Sequence, residues 1–170
     1  TIRGSQAGGL SDGPGVFSFY PTKNLGGYGD GGAVVTPSDE LSARLRLLRQ
    51  YGMTDKDHIV IHGVNSRLDE LQAAILRVKL GHLDEMNSRR RELAERYYGE
   101  VEEGFLRYQR IPSDVTSNYH VFAARVDGDR DSLVRHLEDR RIQTNVYYQI
   151  PLHLQEATRN LGYRAGDFPI

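Results

Sequence analysis

Five glycines fall between Gly26 and Gly32, directly after an aromatic run that carries a single amine, Lys23. This stretch, FSFYPTKNLGGYGDGGAVVT, restricts the fold more than any other. Val16, Phe17 and Phe19 predict a short buried strand that ends at Tyr20-Pro21. Ala33-Val34-Val35-Thr36 resumes a strand-like run. The glycines between them offer positive-φ freedom and close backbone approach. Each one also costs folding entropy, so the pattern predicts that something other than protein lies against the loop.

With 170 residues, 38% of them hydrophobic, the chain is long enough for about one domain with its own core. The formal net charge of -1 gives no reason to expect nucleic acid or an anionic membrane as partner. No cysteine is present, which removes disulfides, thiol nucleophiles and thiolate metal sites together. No apolar stretch approaches the roughly 20 residues needed to cross a bilayer, and no signal-peptide pattern opens the chain. A cytoplasmic protein is expected. Neither Thr1 nor the ending Asp167-Phe168-Pro169-Ile170 has the look of a natural terminus, so the chain is expected to belong to a longer protein.

Residues 1–15 read as loop. Pro37-Ser38-Asp39-Glu40 predicts a helix start capped by Ser38, with Leu41, Leu45 and Leu48 on one face and an end near Gly52. A short apolar run, Ile59-Val60-Ile61, follows a polar stretch. Ser66 and Asp69 resemble a capping box for a long helix whose apolar face is Leu68, Leu71, Ile75 and Val78. A second helix, beyond a break at Gly81, has Met86, Leu93, Tyr97 and Val101 on its apolar face. From Tyr119 the period changes to two, with His120, Phe122, Ala124 and Val126 on one face of a strand. Asp129 opens a helix, and residues 142–148 predict another strand. A boundary between residues 104 and 112 separates an α/β layer with long helices, residues 1–104, from a small α+β unit, residues 105–170.

Lysine in a glycine-lined pocket suits Schiff-base chemistry, because desolvation or a neighbouring cation exposes the lone pair that attacks a carbonyl. Read alone, Lys23 is more readily a surface lysine in a turn, because lone lysines are common and a glycine-rich loop is a weak motif. Neither a Walker pattern nor a dinucleotide fingerprint occurs. The six histidines are scattered; His58 and His62 flank a short apolar run and read as loop residues rather than a helix face, so no metal site is expected. Arg89-Arg90-Arg91 shares its helix with Glu92 and Glu95, which predicts a solvated, ion-paired face.

SFYPTKNLGGYGDGGAVVT, NSRLDELQAAILRVKLGHLDEMNSRRRELAERY and the ending YYQIPLHLQEATRNLGYRAGDFP together resemble, in this order, the DegT/DnrJ/EryC1/StrS family of pyridoxal-phosphate-dependent nucleotide-sugar aminotransferases. The resemblance covers essentially the whole chain. It implies an α/β fold: part of a fold-type I transferase, holding the end of a large mixed-sheet domain, long helices and a small C-terminal α+β domain. It implies that Lys23 holds pyridoxal 5'-phosphate and then moves the proton. Ser18 matches the serine that bonds the cofactor phosphate, chemically apt because phosphate oxygens accept strong hydrogen bonds. Asn65 matches the asparagine that reaches the phosphate in the partner subunit's site, which implies a homodimer with shared sites. Arg67 is a candidate for the substrate's diphosphate, although a helix-surface ion pair explains it as well. Tyr147, Tyr148 and His153 lie where the family lines or supports its sugar site, and core packing explains strand tyrosines equally. Here the chain reads Tyr147-Tyr148-Gln149 in place of the common HYP.

Family members are about twice this length or more, and their upstream half supplies the partner of the pyridinium nitrogen. The 170 residues alone are therefore expected to be inactive. For the whole protein the resemblance implies transfer of an amino group, commonly from glutamate, to a keto group of a nucleotide-linked deoxysugar, most like a 3-keto dTDP-hexose. A pyridoxal-phosphate-dependent sugar dehydratase is the sister chemistry, in which histidine replaces the lysine, and Lys23 argues against it. A truncated subunit that only packs against a partner is the non-enzymatic alternative.

Overall fold

The computed structural model describes residue 8, residues 13–102 and residues 104–168. Most of the loop expected over residues 1–15 lies outside these. Among the described residues, four strands and four α-helices fall into two compact units, one ending at Arg125 and the other beginning at Val126. That break lies beyond the 104/105 boundary expected from the sequence. Residues 105–125 stay with the first unit because the Phe122 ring stacks on Tyr97 with centroids 4.9 Å apart and also meets Tyr98 and Tyr108. Aromatic pairs of this kind contribute about 0.5–1.5 kcal/mol each beyond their buried area.

In the first unit, β1 (Gly15–Ser18) and β2 (Gly32–Val35) pair antiparallel, with Ser18 opposite Gly32. The lysine and the glycines form the connection between them. The buried strand expected at Val16 and Phe17 is corrected: the two are 80% and 40% exposed, because no second layer covers them among the described residues. The α1 helix (Asp39–Leu48) starts where expected, with Ser38 Oγ accepting from the Leu41 N–H. It is followed by a tight return. Tyr51 N–H donates to Val64 O, Val64 N–H to Leu48 O and Ser66 N–H to Arg49 O. Gly52 sits in this return at φ +76°, with Ile61 O 1.7 Å from where a Cβ would be, so no side chain fits there.

The two long helices are α2 (Glu70–Leu80) and α3 (Leu83–Glu100), broken at Gly81 as expected. The capping box is corrected: Asp69 takes the N-cap position and makes no side-chain cap. The expected apolar faces hold in part: Leu68, Ile75 and Met86 are partly buried and Tyr97 packs on Phe122, whereas Leu93 is exposed. Leu71 and Val78 are 79% and 69% exposed, and the buried apolar residues among those described are only Leu76 and Ala94. The α2 face that meets the glycine loop is Gln72, Leu76 and Lys79; on α3 the inward residues include Asn87, Arg90 and Ala94. Loop backbone lines that interior, and its unpaired N–H and C=O groups require polar partners.

β3 (Leu106–Tyr108) pairs with β4 (Ala124–Val126), a much shorter strand than the one expected from Tyr119. Tyr119 adopts φ 42°, and the Tyr119 and His120 amides donate to Ser117 Oγ and Asn118 Oδ1. Side-chain turns have taken the donors that a ladder needs.

The second unit begins with α4 (Arg130–Asp139), capped by Asp129 as expected. The strand expected over residues 142–148 is absent. Arg141, at φ 60°, turns the chain so that Ile142 N–H bonds back to Leu137 O. A single 3₁₀ turn at Leu152–Leu154 and a six-residue 3₁₀ helix at Glu156–Leu161 follow.

Candidate functional site

Residues 20–23 make one tight turn after β1, with Lys23 N–H donating to Tyr20 O at 2.9 Å. The turn is held in place by the glycines. Gly27 N–H donates to Phe19 O at 2.8 Å, and the Gly26 carbonyl accepts from the Lys79 ammonium. Gln72 Oε1 accepts from Tyr28 N–H at 2.7 Å. A Cβ on Gly27 would sit 2.7 Å from that same oxygen, and one on Gly31 would sit 2.8 Å from Leu68 Cδ1. The expected role of these glycines is thereby corrected. None of the five has a positive φ; Gln72 of α2 and Leu68 just before it crowd Gly27, Gly29 and Gly31, whereas backbone carbonyls of the strand and the lysine turn crowd Gly26 and Gly32. Glycine lets the lysine turn seat directly on the helix.

Lys23 is half-buried, and among the described residues no carboxylate pairs with it. Its Nζ lies 3.5 Å from Nε2 of His120, 97 positions along the chain. Asn24 fixes the same junction: its amide donates to Asn87 Oδ1 at 2.8 Å and to Asn118 O at 2.9 Å. Asn24 Oδ1 is buried without a hydrogen-bond partner. Arg90 donates to Tyr119 O at 3.4 Å. His120 stays exposed overall. Partial desolvation first, then the Lys23 and Arg90 charges, hold its imidazole below the ordinary histidine range, which keeps it neutral at neutral pH.

Ser18 closes β1, and its Oγ accepts from Tyr20 N–H at 3.3 Å, leaving the hydroxyl proton to donate elsewhere. Asn65 pairs with Gln50 across the return that follows α1, and its Oδ1 accepts from Arg67 Nε at 2.9 Å. The Arg67 guanidinium lies 5.9 Å from the Tyr51 ring centroid, a cation–π contact. Asn65 and Arg67 are thus brought together. Tyr147 and His153 belong to the second unit. Tyr147 is exposed and packs edge-on to Tyr148, while His153 packs edge-on to Phe168 at 4.9 Å. Sequence reasoning missed His120, Asn24, Asn87 and Gln72. The only available signal was the pairing of Asn24 with the lysine beside it, because every partner lies 44 or more positions away.

The amine and the hydroxyl flank the start of the β1–β2 connection, and the amide–guanidinium pair lies on the return after α1; each is of a chemical type that can take a carbonyl or a phosphate. Among the described residues no group of three His, Cys, Asp or Glu side chains is placed to hold a metal ion. No described helix is long and apolar enough to cross a membrane.

The erythromycin biosynthesis sensory transduction protein EryC1 of Saccharopolyspora erythraea is 47% identical over 99% of this chain and 46% of its own length. The dTDP-3-amino-3,4,6-trideoxy-alpha-D-glucose transaminase of Streptomyces venezuelae is 45% identical over 91% of this chain and 41% of its own. The crystal structure of S. venezuelae DesV in complex with ketimine intermediate superposes with a TM-score of 0.92 at 43% identity, covering 98% of this chain and 44% of that one. The chain therefore spans less than half the length of these relatives. With the DegT/DnrJ/EryC1/StrS aminotransferase family matching residues 1–170, the chain belongs to that family.

Proposed function

We propose that this chain is part of a pyridoxal-phosphate-dependent aminotransferase that moves an amino group from glutamate to a keto group of a nucleotide-linked deoxysugar, a 3-keto dTDP-hexose. The observation that carries this reading is Lys23: an amine seated by a glycine loop, half-buried, with a neutral imidazole and, among the described residues, no carboxylate at its Nζ. The name of the S. venezuelae transaminase supports the substrate class.

Pyridoxal phosphate, when bound, supplies an aldehyde and a ring that stabilises negative charge on the carbon that loses its proton. In this chain Lys23 Nζ is the group that would hold the cofactor and afterwards take up and pass on the proton that leaves the substrate carbon. The Ser18 hydroxyl donates to the cofactor phosphate. Asn65 retains its amide N–H groups for the phosphate in a partner subunit, which makes the enzyme an isologous homodimer. Arg67 retains guanidinium donors for a substrate diphosphate, and Tyr147 and His153 contribute to the sugar side of the site. The location is the cytoplasm. With Leu76 and Ala94 as the buried apolar residues among those described, the 170 residues by themselves do not close such a site, so the activity belongs to the full-length protein.

Borohydride reduction of the full-length, cofactor-loaded protein tests the reading. The label is expected on the peptide that contains Lys23, and glutamate is expected to discharge the visible chromophore. Label on Lys56 or Lys79, or a chromophore indifferent to glutamate, refutes it.

A further inference from the structure

We propose that His120 is the positioning residue for Lys23: its Nε2 accepts a hydrogen from the Lys23 amine, holds Nζ on one heading, and is the adjacent acceptor when Nζ gives up a proton. The observation is the 3.5 Å approach of Nζ and Nε2 between residues 97 positions apart. That approach is not an accident of two mobile side chains, because both backbones are tied down. Lys23 N–H is bonded to Tyr20 O within its turn. On the other side, Asn118 Oδ1 receives the His120 N–H, Asn118 O receives the Asn24 amide, and Tyr119 O receives the Arg90 guanidinium. Asn24 follows Lys23 directly, so one residue locks the amine's turn to the segment that carries the imidazole.

The charges facing the ring among the described residues are both cationic, Lys23 from the β1–β2 connection and Arg90 from α3. They disfavour imidazolium, and a neutral ring with Nε2 unprotonated is the tautomer able to accept from Nζ. The coupling is reciprocal: when Lys23 loses its charge, His120 loses one of the cations that keep it neutral and becomes a better proton acceptor. That charge is lost as the Nζ ammonium passes its proton to Nε2, one N–H bond breaking as the other forms, which leaves a neutral amine beside an imidazolium. A cation on His120 is in turn returned to neutrality once Nζ is charged again.

The functional role rests on the aminotransferase reading, whereas the pairing itself does not, and the test separates them. Histidine ring titrations by NMR are recorded on the full-length apoprotein, with the His120 signal assigned by its loss in His120→Gln. In Lys23→Met the His120 midpoint is expected to rise, and in Lys23→Arg, which keeps the charge, it stays low. A ring held by packing alone moves in neither, and that result overturns the pairing. In the loaded enzyme, His120→Ala is expected to slow the glutamate half-reaction about tenfold, the weight of a hydrogen bond to a charged group. His120→Gln, whose carbonyl replaces the Nε2 acceptor but cannot titrate, restores part of that rate and abolishes the acidic limb of the pH profile. A His120→Ala enzyme with the parent's rate and pH profile also overturns the proposal. Coupled titration in a protein without any glutamate half-reaction refutes the aminotransferase reading and leaves the pairing standing.

Discussion

Replacing Gly26 by alanine moves the lysine turn without touching the lysine. Gly26 is buried and its φ is not positive, so alanine meets no backbone penalty there. The penalty is space. A Cβ at residue 26 falls 2.5 Å from Pro21 O and 2.8 Å from Tyr20 O, and the first distance is 0.9 Å short of the 3.4 Å where ordinary contact begins. Both obstacles are backbone, so no rotamer change relieves them. Tyr20 O is also the acceptor that fixes Lys23 N–H, and a displacement there is passed to the amine. Overpacking of this kind costs about 1–3 kcal/mol. A misplacement of about 1 Å at a reacting group costs up to roughly 10²-fold in rate. Gly26→Ala in the full-length protein is therefore expected to lower the thermal midpoint by a few degrees and to slow the glutamate half-reaction by one to two orders of magnitude, on the order set by that misplacement. The control is Gly99→Ala in the last turn of α3, where nothing lies within 4 Å of the new Cβ. Stability should there be unchanged or higher, by up to about 1 kcal/mol. A Gly26→Ala protein that matches the parent in midpoint and rate refutes the reasoning.

Gln72→Leu removes the acceptor of the exposed Tyr28 N–H and is expected to cost about 0.5–1.5 kcal/mol, the net weight of an ordinary hydrogen bond; chemical denaturation measures it, and an unchanged transition midpoint refutes it. Asp129, which caps α4, has its carboxyl held below the usual aspartate range, first by the Ser132 hydroxyl and then by the Ser132 N–H. Its folded value is depressed, so its stabilising contribution is fully present above the ordinary aspartate range and is lost as pH falls through the folded value. The difference in stability between Asp129→Asn and the parent should accordingly shrink on acidification, and a difference that is flat from neutral to strongly acidic pH contradicts this.

What the sequence made legible was local. Ser38 and Asp129 announced their helices because a cap needs only a residue three positions on, and Gly81 announced a break for a similarly local reason. The amine at residue 23 stood out because its neighbours are glycines. Its surroundings did not, because they arrive from 44 to 97 positions away and consist of ordinary histidine, asparagine and glutamine.

The helix faces show why distance alone is not the whole difficulty. Periodicity selects the stripe with the most carbon, Leu71, Ile75 and Val78 on α2, on the premise that the interior facing a helix is apolar. Here the facing surface is a glycine loop. A loop without side chains presents backbone amides and carbonyls, so the stripe it selects is one that can answer them: Gln72 for Tyr28 N–H and Lys79 for Gly26 O, with Leu76 between. On α3 the same logic places Asn87 and Arg90 inward, against Asn24 and Tyr119 O. The glycine run and the polar stripe are thus one feature written in two places, and either half read alone points the wrong way. Taken together, a glycine loop followed by a helix whose i, i+4, i+7 positions include Gln and Lys predicts that the helix seats the loop, and hence that the lysine beside the loop is held by helix chemistry.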